Sequence, residues 1–596
     1  MTHQEKLSTL RQAMSFHGIQ AYFIPNSDPH QSEYLPEHWR IMPWLTGFSG
    51  SSGNVVVTAD FAGVWTDSRY FIQAEQQLRG TGFELVKLTI PHTAEYIDWM
   101  VEHCPEGSSV GIDGNLLSLA SKRAMETAFS AKKLKIKDVG NLIAGMWEDR
   151  PALPLGEIFA HEEHFAGKSR VAKLEALRQL MAEQGIHYHL CTALDEIAWI
   201  FNLRGTDVEY NPVPLAYALI DPCEVSLFID RAKVPAALAE ELQQQGIKLA
   251  PYTQIQGRLK QLQGNKPIYY EAGKTSFQLA QCIPANLPKM EGMHLSTRLK
   301  AIKNAREIEQ IREVMVKDGV AMIRFLMWLE ESVGKIDITE VSAADKLESF
   351  RAEQAHFVGP SFSTIAGYQG NGAIVHYRAE PETAANLHAE GIFLLDSGGQ
   401  YLDGTTDITR TIALGPPSEE AMRDFTLVLK GHIAIATAIF PEGTRGYQIE
   451  GFARRALWAY GMNYGHGTGH GVGFFLNVHE GPQTLGTGAS GRSATPFELG
   501  MLTSNEPGVY HQDRYGIRTE NLILCVEHSE SEAFGKFLAF ETVTLCPIDV
   551  SLIDTSRLST EELDWLNAYH DEVRKKLSPH LAGEEVSWLE KKTAHI

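Results

Sequence analysis

Five polar positions in the second half of this chain have the residue types of a metal centre. In Gly391-Ile-Phe-Leu-Leu-Asp396-Ser-Gly, apolar residues run straight into a carboxylate, which reads as a buried strand ending at Asp396. A Gly-rich segment and Asp403-Gly404 turn the chain. The Thr/Ile-rich run that follows places Asp407 inside a second strand, where aspartate is disfavoured. The plainer alternative is that Asp396 caps a turn and Asp407 faces water. Further on, glycine alternates at 465, 467, 469, 471 and 473 around His466 and His470, and His479 follows in Asn477-Val-His479-Glu-Gly-Pro. Such glycines allow close backbone approach, and clustered imidazoles serve as metal ligands or acid–base groups. Met501-Leu-Thr-Ser-Asn-Glu506-Pro-Gly is a strand meeting a turn at a glutamate. Gly516-Ile-Arg518-Thr-Glu520-Asn-Leu-Ile-Leu reads as one strand, whose period of two puts Arg518 and Glu520 on one face. For Glu520 a cross-strand ion pair is the alternative.

Asp396, Asp407, His470, Glu506 and Glu520 together offer four carboxylates, one imidazole and no sulfur. That donor set suits hard or borderline divalent ions such as Mn²⁺, Co²⁺ or Zn²⁺. Four buried negative charges are costly without cations, and two divalent ions balance them where one does not.

The elements that must position these residues begin at the front of the chain, with a repeat. Leu7-Ser-Thr-Leu10-Arg11-Gln12-Ala-Met14 leads to Gly18-Ile19, and Leu174-Glu-Ala-Leu177-Arg178-Gln179-Leu-Met181 leads to Gly185-Ile186. Each copy reads as an amphipathic helix, a glycine stop and a strand, and Trp44/Gly50 are echoed by Trp199/Gly205. We expect two related α/β domains, over 1–152 and 153–297, with links near Asp149-Arg-Pro-Ala-Leu-Pro and Lys289-Met-Glu-Gly-Met-His. A third domain over 298–545 opens with a long helix capped by Asn304 and Glu307, its buried stripe being Ile308, Ile311 and Met315. A helical extension over 546–596 is opened by Ser559 and Glu562, with a packing stripe of Leu563, Leu566, Val573 and Leu577.

Composition narrows the function classes. The net charge of -21 repels phosphate backbones and anionic lipid, so neither nucleic acid nor membrane is an expected partner. The start of the chain has no apolar leader, and no run of about 18 apolar residues occurs. The six cysteines form no CxxC pair, which points to free thiols in a reducing cytoplasm.

The motifs Leu-Asp396-Ser-Gly, Thr-Thr-Asp407-Ile-Thr-Arg-Thr, His466-Gly-Thr-Gly-His470-Gly-Val-Gly, Asn-Glu506-Pro-Gly and Arg518-Thr-Glu520-Asn resemble those of the pita-bread metallopeptidases. Within them the chain is most similar to the long, three-domain Xaa-Pro aminopeptidases (aminopeptidase P). Trp65-Thr-Asp-Ser-Arg-Tyr, Gly372-Ala-Ile-Val-His376-Tyr and the Asp564-Trp-Leu-Asn-Ala-Tyr-His tail extend the resemblance over nearly the whole chain. It implies two α/β domains ahead of a pita-bread catalytic domain and two divalent ions, manganese first, cobalt or zinc otherwise. By the resemblance Asp407 and Glu520 bridge the ions, Asp396 completes one shell, and His470 with Glu506 completes the other. It also implies that His376 and His479 bind substrate and stabilise the tetrahedral intermediate, and that Glu506 accepts the proton of the attacking water. His466 and Arg518 line the site. Thr519 departs from the pattern, where an aliphatic residue is expected, with its side chain directed away from the ions. The implied substrates are short peptides with proline at position 2, and the implied assembly is a cytoplasmic homodimer. Prolidase, which cleaves Xaa-Pro dipeptides only, is the competing enzyme. A metal-free binding protein on the same fold is the competing class, disfavoured because no ligand is replaced.

Overall fold

The repeated helix–strand pattern at the front of the chain folds twice in the same way. The computed structural model describes residues 1–90, 93–489 and 491–596. Thr2 and Ser169 cap helices His3–Phe16 and Arg170–Glu183, which bury Leu7, Leu10 and Met14 in one and Leu174, Leu177 and Met181 in the other. Gly18 and Gly185 then take φ of 63° and 68°, the left-handed turn that glycine adopts without strain. The strands that follow, Ala21–Pro25 and Tyr188–Cys191, each lie inside a six-stranded sheet. Counted along the chain within each sheet, both have the order 4-3-2-1-5-6. In both, the first strand runs antiparallel to the second and parallel to the fifth. Trp44 and Trp199 fall on the short helices Ile41–Thr46 and Leu194–Ile200. Both sheets belong to one compact unit, residues 1–161 with 168–296.

The second unit comprises residues 162–167 and 297–596. Asn304 accepts from the amides of Arg306 and Glu307, and Glu307 reaches back to the Asn304 amide, opening the helix Ala305–Ser332 as expected. Ile311 and Met315 are buried on it and Ile308 is half-buried. Strand Ile392–Ser397 lies between Ile365–Tyr368 and Ile408–Ala413, antiparallel to both. A separate six-stranded sheet runs Phe440–Pro441, Gly535–Thr542, Asn521–Ser531, Leu502–Asn505, Gly469–Gly471, Glu480–Leu485. The glycine alternation has its cause here. A Cβ on Gly469 would fall 1.9 Å from the Ser504 carbonyl oxygen, and one on Gly471 would fall 2.3 Å from that of Glu480. Only glycine lets the His470 strand sit between its neighbours. Ser559 and Glu562 cap the helix Thr560–Leu577, which buries Leu566, Tyr569, His570, Val573 and Leu577 and leaves Leu563 half-buried.

Two local expectations are corrected. Asp407 is not inside a strand; it lies in the link between Gly404–Thr405 and Ile408–Ala413. Residues 516–524 are not one strand. Tyr515–Arg518 pairs with Gly508–His511, while Asn521–Ser531 pairs with Leu502–Asn505 and Gly535–Thr542. At the break, the Thr519 amide donates to Pro507 and the Glu520 amide to Thr409, so the chain leaves one sheet for another. The period-two argument for Arg518 and Glu520 therefore fails, although both side chains reach the same place. No described helix is long and apolar enough to cross a membrane. The six cysteines, all among the described residues, form no disulfide; Cys223 is exposed and the others are buried.

Candidate metal centre

Strand ends and links, not strand interiors, deliver most of the donors. Asp396 is the penultimate residue of Ile392–Ser397, and its register partner on the next strand is Thr409. Asp407 sits just ahead of that strand, Glu506 just after Leu502–Asn505, and Glu520 just before Asn521–Ser531. His470 projects from the middle of Gly469–Gly471. One ligand atom each from Asp407, His470 and Glu520 lies within 4.8 Å of the others. His470 Nε2 is 3.5 Å from Asp407 Oδ2 and 3.6 Å from Glu506 Oε1. The His479 ring stands nearly perpendicular to that of His470, with centroids 4.3 Å apart.

A hydrogen-bonded lattice ties the rest together. Arg518 donates from Nη2 to Asp396 Oδ2 (2.5 Å), from Nε to Thr409 Oγ1 (3.1 Å) and from Nη1 to the Tyr510 hydroxyl (2.7 Å). The Thr409 hydroxyl in turn donates to Glu520 Oε2 at 2.7 Å. Tyr510, already accepting from Arg518, donates to His466 Nε2 at 2.8 Å. The structure thus brings together Asp396, Asp407, His470, His479, Glu506, Arg518 and Glu520, with His466 joined through Tyr510. His376 follows the turn Gln369–Ala373, half-buried. That turn packs on Tyr515–Arg518 so closely that a Cβ on Gly516 would fall 1.7 Å from the Gly372 carbonyl oxygen.

Comparison with known proteins gives this constellation its context. Residues 309–527 match metallopeptidase family M24, and residues 536–596 match the C-terminal region of that family. Residues 6–146 and 149–307 match two creatinase/prolidase N-terminal domain families. A probable Xaa-Pro aminopeptidase P of Laccaria bicolor is 40% identical over 99% of this chain and 93% of its own. Aminopeptidase P2 of Arabidopsis thaliana is 38% identical over 98% and 87%. This chain belongs to the aminopeptidase P branch of metallopeptidase family M24. Among solved structures, the X-prolyl aminopeptidase of Caenorhabditis elegans, described as a cytosolic enzyme with a di-nuclear active site, superposes with a TM-score of 0.95. It is 33% identical, with full coverage of both chains. An Xaa-Pro dipeptidase from Bacillus anthracis shares the fold at 24% identity and a TM-score of 0.50, covering 64% of this chain and 99% of its own.

The electrostatics of this M24 centre fit bound cations. Burial raises every carboxyl: Asp407 to about 6, Glu520 well above the usual range with repulsion from Asp407, Asp396 and Glu506 added, and Asp396 and Glu506 upward despite Arg518. Arg518 offsets one of the four negative charges, and three exceed what a single dication neutralises. Asp396 Oδ1 is buried with no hydrogen-bond donor. His470 Nδ1 donates to its neighbour's carbonyl, Gly471 O, at 2.9 Å, which leaves the Nε2 lone pair facing Asp407 and Glu506. That is the tautomer a metal-ligating histidine needs. Sequence reasoning missed Tyr510 entirely, because nothing local marks it. Thr409 was in plain view inside the Asp407 motif, but its role appears only when Glu520 arrives from more than a hundred residues away.

Proposed function

We infer that this chain removes the first residue from peptides that carry proline second. The observation that carries this reading is the convergence of Asp396, Asp407, His470, Glu506 and Glu520 in a chain similar to aminopeptidase P over its full length. Asp396, Asp407, His470, Glu506 and Glu520 would hold two divalent ions. Two divalent ions, when bound, would polarise the scissile carbonyl and acidify water at neutral pH. The bond to be cut is a tertiary amide without an N–H, so no group of the chain can grip it there. Positioning falls instead to groups around the carbonyl and the free amine. Glu506, part-exposed and with its pKa raised by burial, accepts a proton from water. His479 and His376 stabilise the oxyanion of the tetrahedral intermediate, and His466 and Arg518 line the site.

Manganese is our choice of native ion, with cobalt or zinc able to replace it. The working division of the chain is 1–152, 153–297, 298–545 and 546–596. We place the enzyme in the cytoplasm as a homodimer acting on short peptides; the net charge of -21 and six cysteines that form no disulfide support a reducing aqueous compartment. The test is hydrolysis of Arg-Pro-Pro by metal-stripped protein with Mn²⁺ restored, beside Arg-Pro and an Asp407→Asn variant. Metal-dependent release of arginine from the tripeptide, abolished in the variant, is the expected result. Cleavage of the dipeptide alone would move the assignment to a dipeptidase.

A further inference from the structure

The residues beside the two glutamate donors are both asparagines, Asn505-Glu506 and Glu520-Asn521, and both turn away from the donors toward one buried histidine. Asn505 and Asn521 are register partners on adjacent strands. His432, fully buried on the helix Glu419–Ala436, stands between them. Asn505 Nδ2 donates to the His432 carbonyl at 2.9 Å, and His432 Nδ1 meets the Asn505 carbonyl at 3.1 Å. Asn521 Nδ2 meets His432 Nε2 at 3.1 Å.

The protons can be assigned from the partners. Asn521 Oδ1 accepts from Arg410 Nη2 at 2.8 Å, so its amide nitrogen is the end that faces His432. His432 Nε2 is therefore an acceptor, and Nδ1 carries the proton donated to Asn505. The ring is neutral; burial pushes it down to about 3. Arg410 continues the chain of contacts. It donates to the backbone carbonyls of Thr409 (2.9 Å), Glu520 (2.7 Å), Cys546 (2.8 Å) and Pro547 (2.9 Å), and to the Tyr569 hydroxyl (3.0 Å). Trp565 meets His432 at a steep ring angle of 68°, and Tyr569 accepts from Arg410, so the helix Thr560–Leu577 packs against both His432 and Arg410.

We propose that His432 is a positioning residue of the metal centre, setting the spacing of Glu506 and Glu520 through the asparagine next to each. The argument is geometric. Glu506 and Glu520 leave neighbouring strands at the same level, and a donor pair intended to hold ions must be spaced to a few tenths of an ångström. Ladder hydrogen bonds fix strand separation but stop at Asn505 and Asn521, where each strand ends. His432 braces the two ends at that point, with one ring nitrogen per strand. Arg410 holds the carbonyl of Glu520 itself, so the C-terminal extension reaches the centre through Tyr569 and Arg410.

The proposal rests on reading these glutamates as metal donors, and the experiment separates the two. Full-length protein stripped of metal is titrated with Mn²⁺ by calorimetry, and the melting of each metal-free form is followed. His432→Leu, which removes both ring bonds, should weaken Mn²⁺ binding about 10–100-fold, the usual effect of losing such a partner. His432→Gln keeps an acceptor near Nε2 and lacks the Nδ1 donor; it should weaken binding by less than His432→Leu. His570→Leu deletes another buried histidine, bonded to the Ile548 amide, and should lower the melting temperature without changing Mn²⁺ affinity. Parental affinity in folded His432→Leu overturns the proposal, as does an equal loss in His570→Leu. If His432→Leu fails to fold, His432→Gln decides: weakened binding supports the proposal and parental binding overturns it. Parental Mn²⁺ binding in Asp407→Asn would instead sink the metal-centre reading itself, whatever the histidine variants do.

Discussion

The donor cluster has a closed side and an open side. On the closed side, Asp396 and Glu520 are held before any ion arrives, by the Arg518 guanidinium at 2.5 Å and the Thr409 hydroxyl at 2.7 Å. On the open side, the His470 and Glu506 side chains keep 17% and 19% of their exposure, and their anchors are weaker. The hydrogen bond from Ser504 to Glu506 is 3.4 Å long, and His470 relies on the carbonyl next to it. Asp407 stands between the two sides. The difference separates two tasks. Charge in a buried position must be compensated by fixed partners, whereas groups that meet substrate and water must stay accessible. Changes on the closed side should therefore act on stability and metal retention, and changes on the open side on turnover.

The sharpest test is at the point where the sides meet. Asp407→Asn should lower kcat/KM on Arg-Pro-Pro by about 10³-fold or more and reduce the metal bound per chain, read by elemental analysis. Next come two substitutions that should diverge. Arg518→Met leaves Asp396 buried without its cation, so the metal-free protein should lose about 3–5 kcal/mol in denaturant unfolding. Glu506→Gln should leave that stability within about 1 kcal/mol of the parent and lower kcat about 10²–10⁴-fold. Equal stability losses in both variants would erase the distinction between the sides.

A pH series gives a smaller effect. Asp407 has its folded pKa raised to about 6, above that of the unfolded chain, so the folded state holds a proton that the unfolded state has released. Its contribution is fully present below the ordinary aspartate range, is lost as pH rises to about 6, and stays lost above, a difference of about 3 kcal/mol. Asp396, Glu506 and Glu520 shift in the same direction. Bound cations remove that penalty, so the rise in melting temperature on adding Mn²⁺ should grow between about pH 4 and about pH 7. A gain that shrinks over that range would mean that the carboxyls are not the ion's ligands. The smallest effect concerns Thr519, whose hydroxyl is buried with no hydrogen-bond partner. Thr519→Val should stabilise the protein by about 1 kcal/mol in chemical unfolding with no change in turnover, since it removes an unsatisfied polar atom beside the centre and not part of it.

The difference in legibility follows the same line. Helix starts at Asn304 and Ser559 and the repeat at 7–18 and 174–185 are written in neighbouring residues. Short-range backbone preferences and hydrophobic period suffice to read them. The donor types were equally legible, because a buried carboxylate flanked by apolar residues is rare enough to stand out. The course of the chain around Glu520 was not. The nine residues 516–524 look like one strand, yet they belong to two sheets, because the Thr411 hydroxyl holds the Arg518 backbone while the Thr519 and Glu520 amides donate to the carbonyls of Pro507 and Thr409.

From the sequence alone came the two related α/β domains, the proposed metal-donor set and, through the resemblance, the class of peptidase. Only the tertiary structure decided which donors are closed and which open, that Tyr510 links Arg518 to His466, and that His432 lies between Asn505 and Asn521. The contacts that decide this, Asp396 with Arg518, Thr409 with Glu520, Tyr510 with His466 and His432 with both asparagines, join residues tens to more than a hundred positions apart. Local pattern carries no record of such distances; they exist only once separate helices and sheets have packed and each buried polar group has found its partner.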